Sequence, residues 1–210
     1  MPAPLTPVTL VGRHVRLEPL SLDHVPDLVA AASLDRSTYD WTNVPDGTDA
    51  MRHYVEGLLA DQAAAEVLPF AQCRIAGSDD GGGDVEVVGC TRLMEPRWWS
   101  DRATPHEIEI GGTWLGAAAQ RTAVNTEAKL LLLGYAFGEL DVWRVAICTD
   151  DRNEQSRRAI ERLGATFEGI LRNHRPRYDT TSPMPRQSAM YSITVDDWPE
   201  VERRLRDRLG

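Results

Sequence analysis

The chain has 210 residues, of which 42% are hydrophobic and 26% charged, and a formal charge of −9 at pH 7. That length suffices to bury one core and predicts a single domain over residues 1–210. The acidic balance excludes a general binder of nucleic acid or of an anionic membrane, so an anionic ligand must be held by local geometry.

The opening "MPAPLTPVTL" has no basic start and no sustained apolar stretch, so no signal peptide is expected. No run of about 18 apolar residues predicts a membrane span. Cys73, Cys90 and Cys148 are odd in number, far apart and outside any CxxC spacing. They predict reduced thiols in a cytoplasmic protein, with no disulfide and no metal site. Among 23 basic residues, Lys129 alone is a lysine.

"RHVRLEPL" alternates, with Val15 and Leu17 on one face, and predicts a strand. Ser21 then caps a helix with Leu22, Val25, Leu28 and Val29 on one stripe, and Pro26 in its first turn. A second helix, roughly Asp49 to Glu66, carries Met51, Tyr54, Val55, Leu58 and Leu59 at helical spacing. "PFAQCRI" and "VEVVGCTRLM" flank "AGSDDGGGD" and predict a hairpin. Its tip reads as a flexible turn, because no strand-to-helix junction follows as a phosphate loop needs. "HEIEIGGTWL" is a further strand, in which Gly111 and Gly112 mark a bulge or a close approach to the backbone.

A helix apolar nearly all round follows in "EAKLLLLGYAF", then a strand in "VWRVAICTD". "NEQSRRAIERLG" is a helix with Ala159, Ile160 and Leu163 inward and Gly164 as its C-terminal stop. "TFEGILRNH" and "SAMYSITV" are strands joined by a Pro-rich loop. A last helix starts at Asp197, with Pro199 in its first turn and Val201 and Leu205 inward. The order predicts an α+β fold: a mixed, mostly antiparallel sheet of about seven strands with helices on both faces.

The junction from Leu115 to Lys129 carries the first chemical signal. A strand feeding a helix leaves unpaired N–H groups, and the helix start adds about half a positive charge. Ala117, Ala118, Ala119, Thr122 and Ala123 are small enough to let an anion touch the backbone, and Asn125 or Thr126 can cap or donate. The same residues also suit a surface loop before a capped helix. Neither a Walker loop nor a GxGxxG fingerprint is present.

"EIGGTWLGAAAQRTAVNTEAKLLLLGYAF", followed by "VWRVAICTDDRNEQSRRAIERLGATFEGILRNH", resembles the GNAT (Gcn5-related N-acetyltransferase) family, nearest its RimJ/RimL-like branch. The resemblance implies the GNAT fold, with a splayed cleft for coenzyme A. It implies transfer of an acetyl, or a succinyl, group from acyl-CoA to a primary amine by direct attack, without a metal. The acceptor class includes a protein N-terminus or a small-molecule amine, and dimers or trimers occur among similar proteins. A non-catalytic acyl-CoA-binding sensor is the alternative.

Residue by residue, the family's pyrophosphate loop falls on Gln120, Arg121, Thr122, Ala123, Val124 and Asn125, with Thr126 beside it. Ala123 and Asn125 stand where that loop carries glycine or alanine, so the ligand must be held with ordinary helical dihedrals. Arg121 adds a charge to a phosphate or sits in solvent. Trp114 and Leu115 are implied to bond the pantetheine arm like an added strand. Asn153 bonds the same arm. Ser156 lies near the thiol and protonates or orients the leaving thiolate, because Ile160 stands where many members have a tyrosine. For the base, Glu109 and Glu107 alternate on one strand face, and Glu109 is the candidate. Arg175 stands where the branch places a glutamate, and His174 beside it is a substitute base. Trp41 forms a substrate wall, while Arg172, Arg175 and Arg177 make an arginine lip for an acidic acyl chain.

Overall fold

The computed structural model describes residues 5–75, 85–176 and 184–210. The hairpin tip "AGSDDGGGD" and most of the Pro-rich loop, Arg177 included, lie outside them. In chain order the elements are β1 (Leu10–Val11), β2 (Val15–Pro19), α1 (Val25–Ser33), α2 (Thr48–Ala63), β3 (Val67–Ile75), β4 (Val85–Arg97) and β5 (Glu107–Leu115). There follow α3 (Ala123–Gly138), β6 (Arg144–Asp150), α4 (Glu154–Leu163), β7 (Thr166–Pro176), β8 (Pro185–Thr194) and α5 (Trp198–Leu209).

The strands form one sheet in the order β1-β2-β3-β4-β5-β6-β8-β7. Only β5 and β6 pair in parallel, through α3; every other neighbouring pair is antiparallel. The mixed, mostly antiparallel sheet expected from the element order is therefore present, with an eighth strand. The extra one is β1, two residues paired with Leu17 and Arg16, too short to show an alternation.

Helices cover both faces. On one, α3, α4 and α5 bury Leu132, Leu133, Ile160, Leu163, Val201 and Leu205 against strand residues such as Val15, Phe70, Ile108 and Val145. On the other, α1 and α2 pack Leu28, Met51 and Val55 over Ala71, Cys90 and Trp114. This second cluster takes no residue from β6, β7 or β8. That part of the second face holds the cavity described below.

The caps follow local chemistry. Ser21 starts a 3-10 turn, Leu22–His24, that runs into α1. At three residues per turn it rotates Leu22 into solvent, so the buried stripe begins at Val25 and not at Leu22. Gly164 ends α4 in the left-handed region at φ 99°.

Candidate active site

β5 and β6 keep register only over Glu107–Glu109 against Arg144–Ala146. Beyond Glu109 the strands part, although β5 runs on to Leu115 and β6 to Asp150. The result is a forked cleft between two parallel strands. Its opening lies at their carboxyl ends, where α3 and α4 begin.

A bulge bends β5 just past the fork. Arg92 pairs with Gly111 and Cys90 with Trp114, so Gly112 and Thr113 together oppose Thr91. Gly112 has φ +56°, and a Cβ there would lie 2.5 Å from the Arg92 guanidinium carbon. The positive φ is what favours glycine here, and a Cβ would also have to displace the end of the Arg92 side chain. Gly116 donates its N–H to Val88 O at 2.7 Å, so the antiparallel alternation turns the backbone groups of Leu115 toward the cleft. The Leu115 carbonyl already accepts from Tyr39 Oη (3.2 Å) and Gln120 Nε2 (2.9 Å). The Trp114 carbonyl accepts from Gln72 Nε2 at 3.1 Å. What this strand end offers a ligand is therefore the Leu115 N–H.

The small-residue run folds as a 3-10 turn, Ala117–Ala119, before α3. Arg121 is exposed and sits at φ 60°, the left-handed turn that aims the chain into the helix. Thr122 is the N-cap: its Oγ1 accepts from Val124 N at 3.3 Å and donates to Ala119 O at 2.7 Å. Val124 points into the core, and the N–H groups of Ala123 and Asn125 are the free donors of the first turn. Thr126 is half-buried beside them. The Gln120 amide is used within the chain, on Leu115 and on Thr38 Oγ1 (2.8 Å). Across the cleft, Asn153 caps α4, its Oδ1 accepting from Ser156 N at 3.0 Å. Ser156 is half-buried in that first turn.

The segment between α1 and α2 straps the two lips together. Thr38 reaches Gln120 beside α3, and Trp41 packs under the Arg152 guanidinium, 4.3 Å from its ring centre, beside α4. Tyr39 sits edge-on to Trp114 with ring centres 6.2 Å apart.

Behind the fork, on the part of the second face that α1 and α2 leave uncovered, lies a cavity of about 440 Å³ lined by Glu107, Glu109, Ala146, Glu168, His174 and Met190. Glu107 and Glu109 share this face, as their alternation predicts. Glu109 is paired in two-pronged fashion with Arg175, at 3.0 and 2.8 Å, and Arg175 also reaches Glu95. Burial pushes the Glu109 carboxyl above the usual carboxylate range, while the Arg175 guanidinium draws it back. The Cys148 thiol, 3.5 Å from Glu109 Oε1, is pushed up to about 12 by burial and stays protonated. His174 has a buried Nδ1 without a partner among the described residues. Burial, reinforced by Arg175, lowers its pKa, so its ring is neutral at pH 7.

Glu95, Arg97 and Arg144 also line it and, with Glu168, escaped the sequence reading. Arg144 salt-bridges Glu107 at 2.8 Å and also pairs with Glu168. A charged residue within the apolar run "VWRVAI" was the available signal. Of the arginine lip, Arg175 is engaged as above and Arg172 is exposed.

Glu18, His24 and Cys73 bring possible ligand atoms within 4.8 Å of one another. The Ser21 N–H donates to His24 Nδ1 at 3.1 Å, so the neutral ring carries its proton on Nε2, 3.4 Å from Glu18 Oε2. That nitrogen has no lone pair for an ion, and burial raises the Cys73 thiol to about 12. The trio is a hydrogen-bonded cluster.

Comparison with known proteins bears on this geometry. The family described as "Acetyltransferase (GNAT) domain" matches residues 14–166. A T. thermophilus protein classed as an acetyltransferase is 34% identical, with a TM-score of 0.79 over 98% of this chain and 99% of that one. Mycobacterium smegmatis RimJ, solved with CoA-disulfide, has the same fold at 19% identity, with a TM-score of 0.75 over 98% and 97% of the two chains. Bacillus subtilis (strain 168) YdaF, classed as a ribosomal N-acetyltransferase, is 40% identical over 62 residues. Those residues are 30% of this chain, which thus spans about a third (34%) of YdaF. A forked pair of parallel strands, two helix starts at its mouth and a family match over most of the chain lead to one conclusion: the protein belongs to the GNAT acetyltransferase family.

Proposed function

We propose that this protein moves an acetyl group from acetyl-CoA to a primary amine by direct attack within the fork of β5 and β6. The observation that carries this reading is the parting of the strands after Glu109, with two helix N-termini at the open end and a charged cavity at the closed end. The pyrophosphate would rest on the N–H groups of Ala123 and Asn125, where the helix start favours an anion. The pantetheine arm would bond the Leu115 N–H and Asn153. The thioester would then lie near Glu109, with the cavity presenting the amine to its other side. RimJ's complex with a CoA derivative supports a CoA ligand here.

In this reading an ammonium acceptor loses a proton to His174, whose ring lines the cavity and is neutral at pH 7. Glu109, held rigid by Arg175, orients the amine and favours a cationic acceptor. The free amine attacks the thioester carbon, and the oxygen that becomes negative is held by backbone N–H near the bulge. The carbon–sulfur bond then breaks; Ser156 hands a proton to the departing thiolate and takes back the one that the new amide nitrogen sheds. Acetyl is favoured over succinyl, because Arg175 spends both of its terminal nitrogens on Glu109 and Glu95.

Release of free thiol from acetyl-CoA over a panel of amines tests the reading. We expect turnover that falls by about a hundredfold or more in His174→Gln and Ser156→Ala, while CoA affinity survives. The wild-type rate should stay on its plateau below pH 6.5, because the His174 pKa is lowered. Binding of CoA without thiol release for any amine would make the protein a sensor of acyl-CoA.

A further inference from the structure

The bulge of β5 is held from below by a side chain that the proposed mechanism leaves unused. Lys129, the only lysine of the chain, projects from α3 and is buried. Its Nζ lies 2.6 Å from Thr113 Oγ1 and 3.4 Å from Thr91 Oγ1, and the two hydroxyls are 2.8 Å apart. Thr113 is one of the two bulged residues, and Thr91 is the single residue opposite them. Among the described residues no carboxylate lies within salt-bridge reach of this amine. Burial alone pulls its pKa down to about 7.

A buried amine with no counter-charge is costly, and an apolar side chain of the same length would fill the space more cheaply. What the amine supplies is a tie. It joins both strands at the bulge to the helix whose first turn carries the free N–H groups of Ala123 and Asn125. The distance between the pyrophosphate end and the pantetheine end of the cleft is thereby set through one side chain.

We infer that Lys129 is a positioning residue for acyl-CoA: through Thr113 and Thr91 it locks the β5 bulge to the start of α3, fixing the cleft backbone that grips the ligand. This rests on the CoA reading above. Displacement of such a donor by a fraction of an ångström weakens binding, because the ligand must then reorganise the site it enters.

The test is titration calorimetry of the full chain with CoA, followed by steady-state kinetics with acetyl-CoA. Lys129→Met and Thr113→Val should each weaken CoA binding roughly tenfold, and the double variant should be no worse than either one. Thr113→Ser, which keeps the hydroxyl, should bind within about twofold of wild type. KM for acetyl-CoA should rise while kcat is maintained, a split that general loss of folded protein does not produce. Wild-type affinity in both Lys129→Met and Thr113→Val would overturn the inference while leaving the CoA reading intact. So would a Thr113→Ser variant as weak as Thr113→Val, and that pair decides the matter if Lys129→Met fails to fold. No binding of CoA by the wild type would remove both readings together.

Discussion

Two buried charges on α3 face opposite ways and should leave different marks on stability. Lys129 has its pKa drawn down to about 7 in the folded state, against 10.5 when exposed. Between those values the unfolded chain binds more protons, so stability rises with pH from about 7 to about 10.5. Below that window the penalty is fully present, and above it the penalty has gone. Lys129→Met, which lacks the titration, should therefore be the more stable protein at pH 6.5 by about a few kcal/mol, with the gap clearly smaller at pH 9.5. Urea unfolding of both proteins at the two pH values measures this; a gap independent of pH would refute it. Glu127 is the opposite case. It lies on the same helix, and its carboxylate accepts the N–H groups of Arg13, His14 and Val15 at 2.8, 2.6 and 2.8 Å. Glu127→Gln puts an NH2 in place of one carboxylate oxygen, so that at least one of the three N–H groups faces a donor, and should cost about 1.5–3 kcal/mol. The urea midpoint should fall with an unchanged slope.

At the scale of elements, the decisive object is the bulged strand. β5 is neighbour to β4 along most of its length but to β6 only from Glu107 to Glu109. The bulge makes that possible, because an extra residue increases local twist and turns the strand away. Gly112→Ala would face a positive φ and the Arg92 side chain at once. The strand should relax toward a regular ladder, closing the fork. We expect a stability loss of about 1–2 kcal/mol and a weaker CoA affinity than that loss explains. An alanine variant that binds CoA like wild type would show that the bulge does not shape the cleft. The strap from Thr38 to Trp41 belongs to this scale as well, since it joins the lip at α3 to the lip at α4.

For the whole molecule, the two faces of the sheet divide the work. One carries α3, α4 and α5 over the main core; the other is covered by α1 and α2 at one end and left for the cavity at the other. In the proposed reaction, donor and acceptor would thus approach the fork from different sides without crossing. Among the described residues, no helix is long and apolar enough to cross a membrane. A ligand that binds only this folded arrangement stabilises it by RT ln(1 + [L]/Kd), about 2.7 kcal/mol at a hundredfold Kd. Thermal unfolding with CoA, acetyl-CoA and succinyl-CoA should show that rise for CoA and acetyl-CoA, with succinyl-CoA no better than acetyl-CoA. No shift at millimolar ligand would count against the phosphate site at α3.

The sequence by itself determined whatever depends on neighbours along the chain. Alternation marked β2, short strand-like runs marked β3 to β8, helical spacing marked α2 and α4, and Gly164 marked a helix stop, since period and φ are local properties. Gly111 and Gly112 announced the bulge for the same reason, and the small residues after Leu115 announced a helix start open to an anion. Only the tertiary structure decided which groups meet. Arg175 reads as an exposed lip residue, yet it lies between Glu109 and Glu95, 66 and 80 positions away in sequence. Lys129 reads as one polar interruption of an apolar helix, yet it bridges two threonines on different strands. Tyr39 and Gln120 occupy the carbonyl of Leu115, whose backbone the family resemblance assigned to a ligand. Burial makes each of these pairings compulsory, because a polar group withdrawn from water must find a partner, and packing, not spacing, determines which partner is in reach.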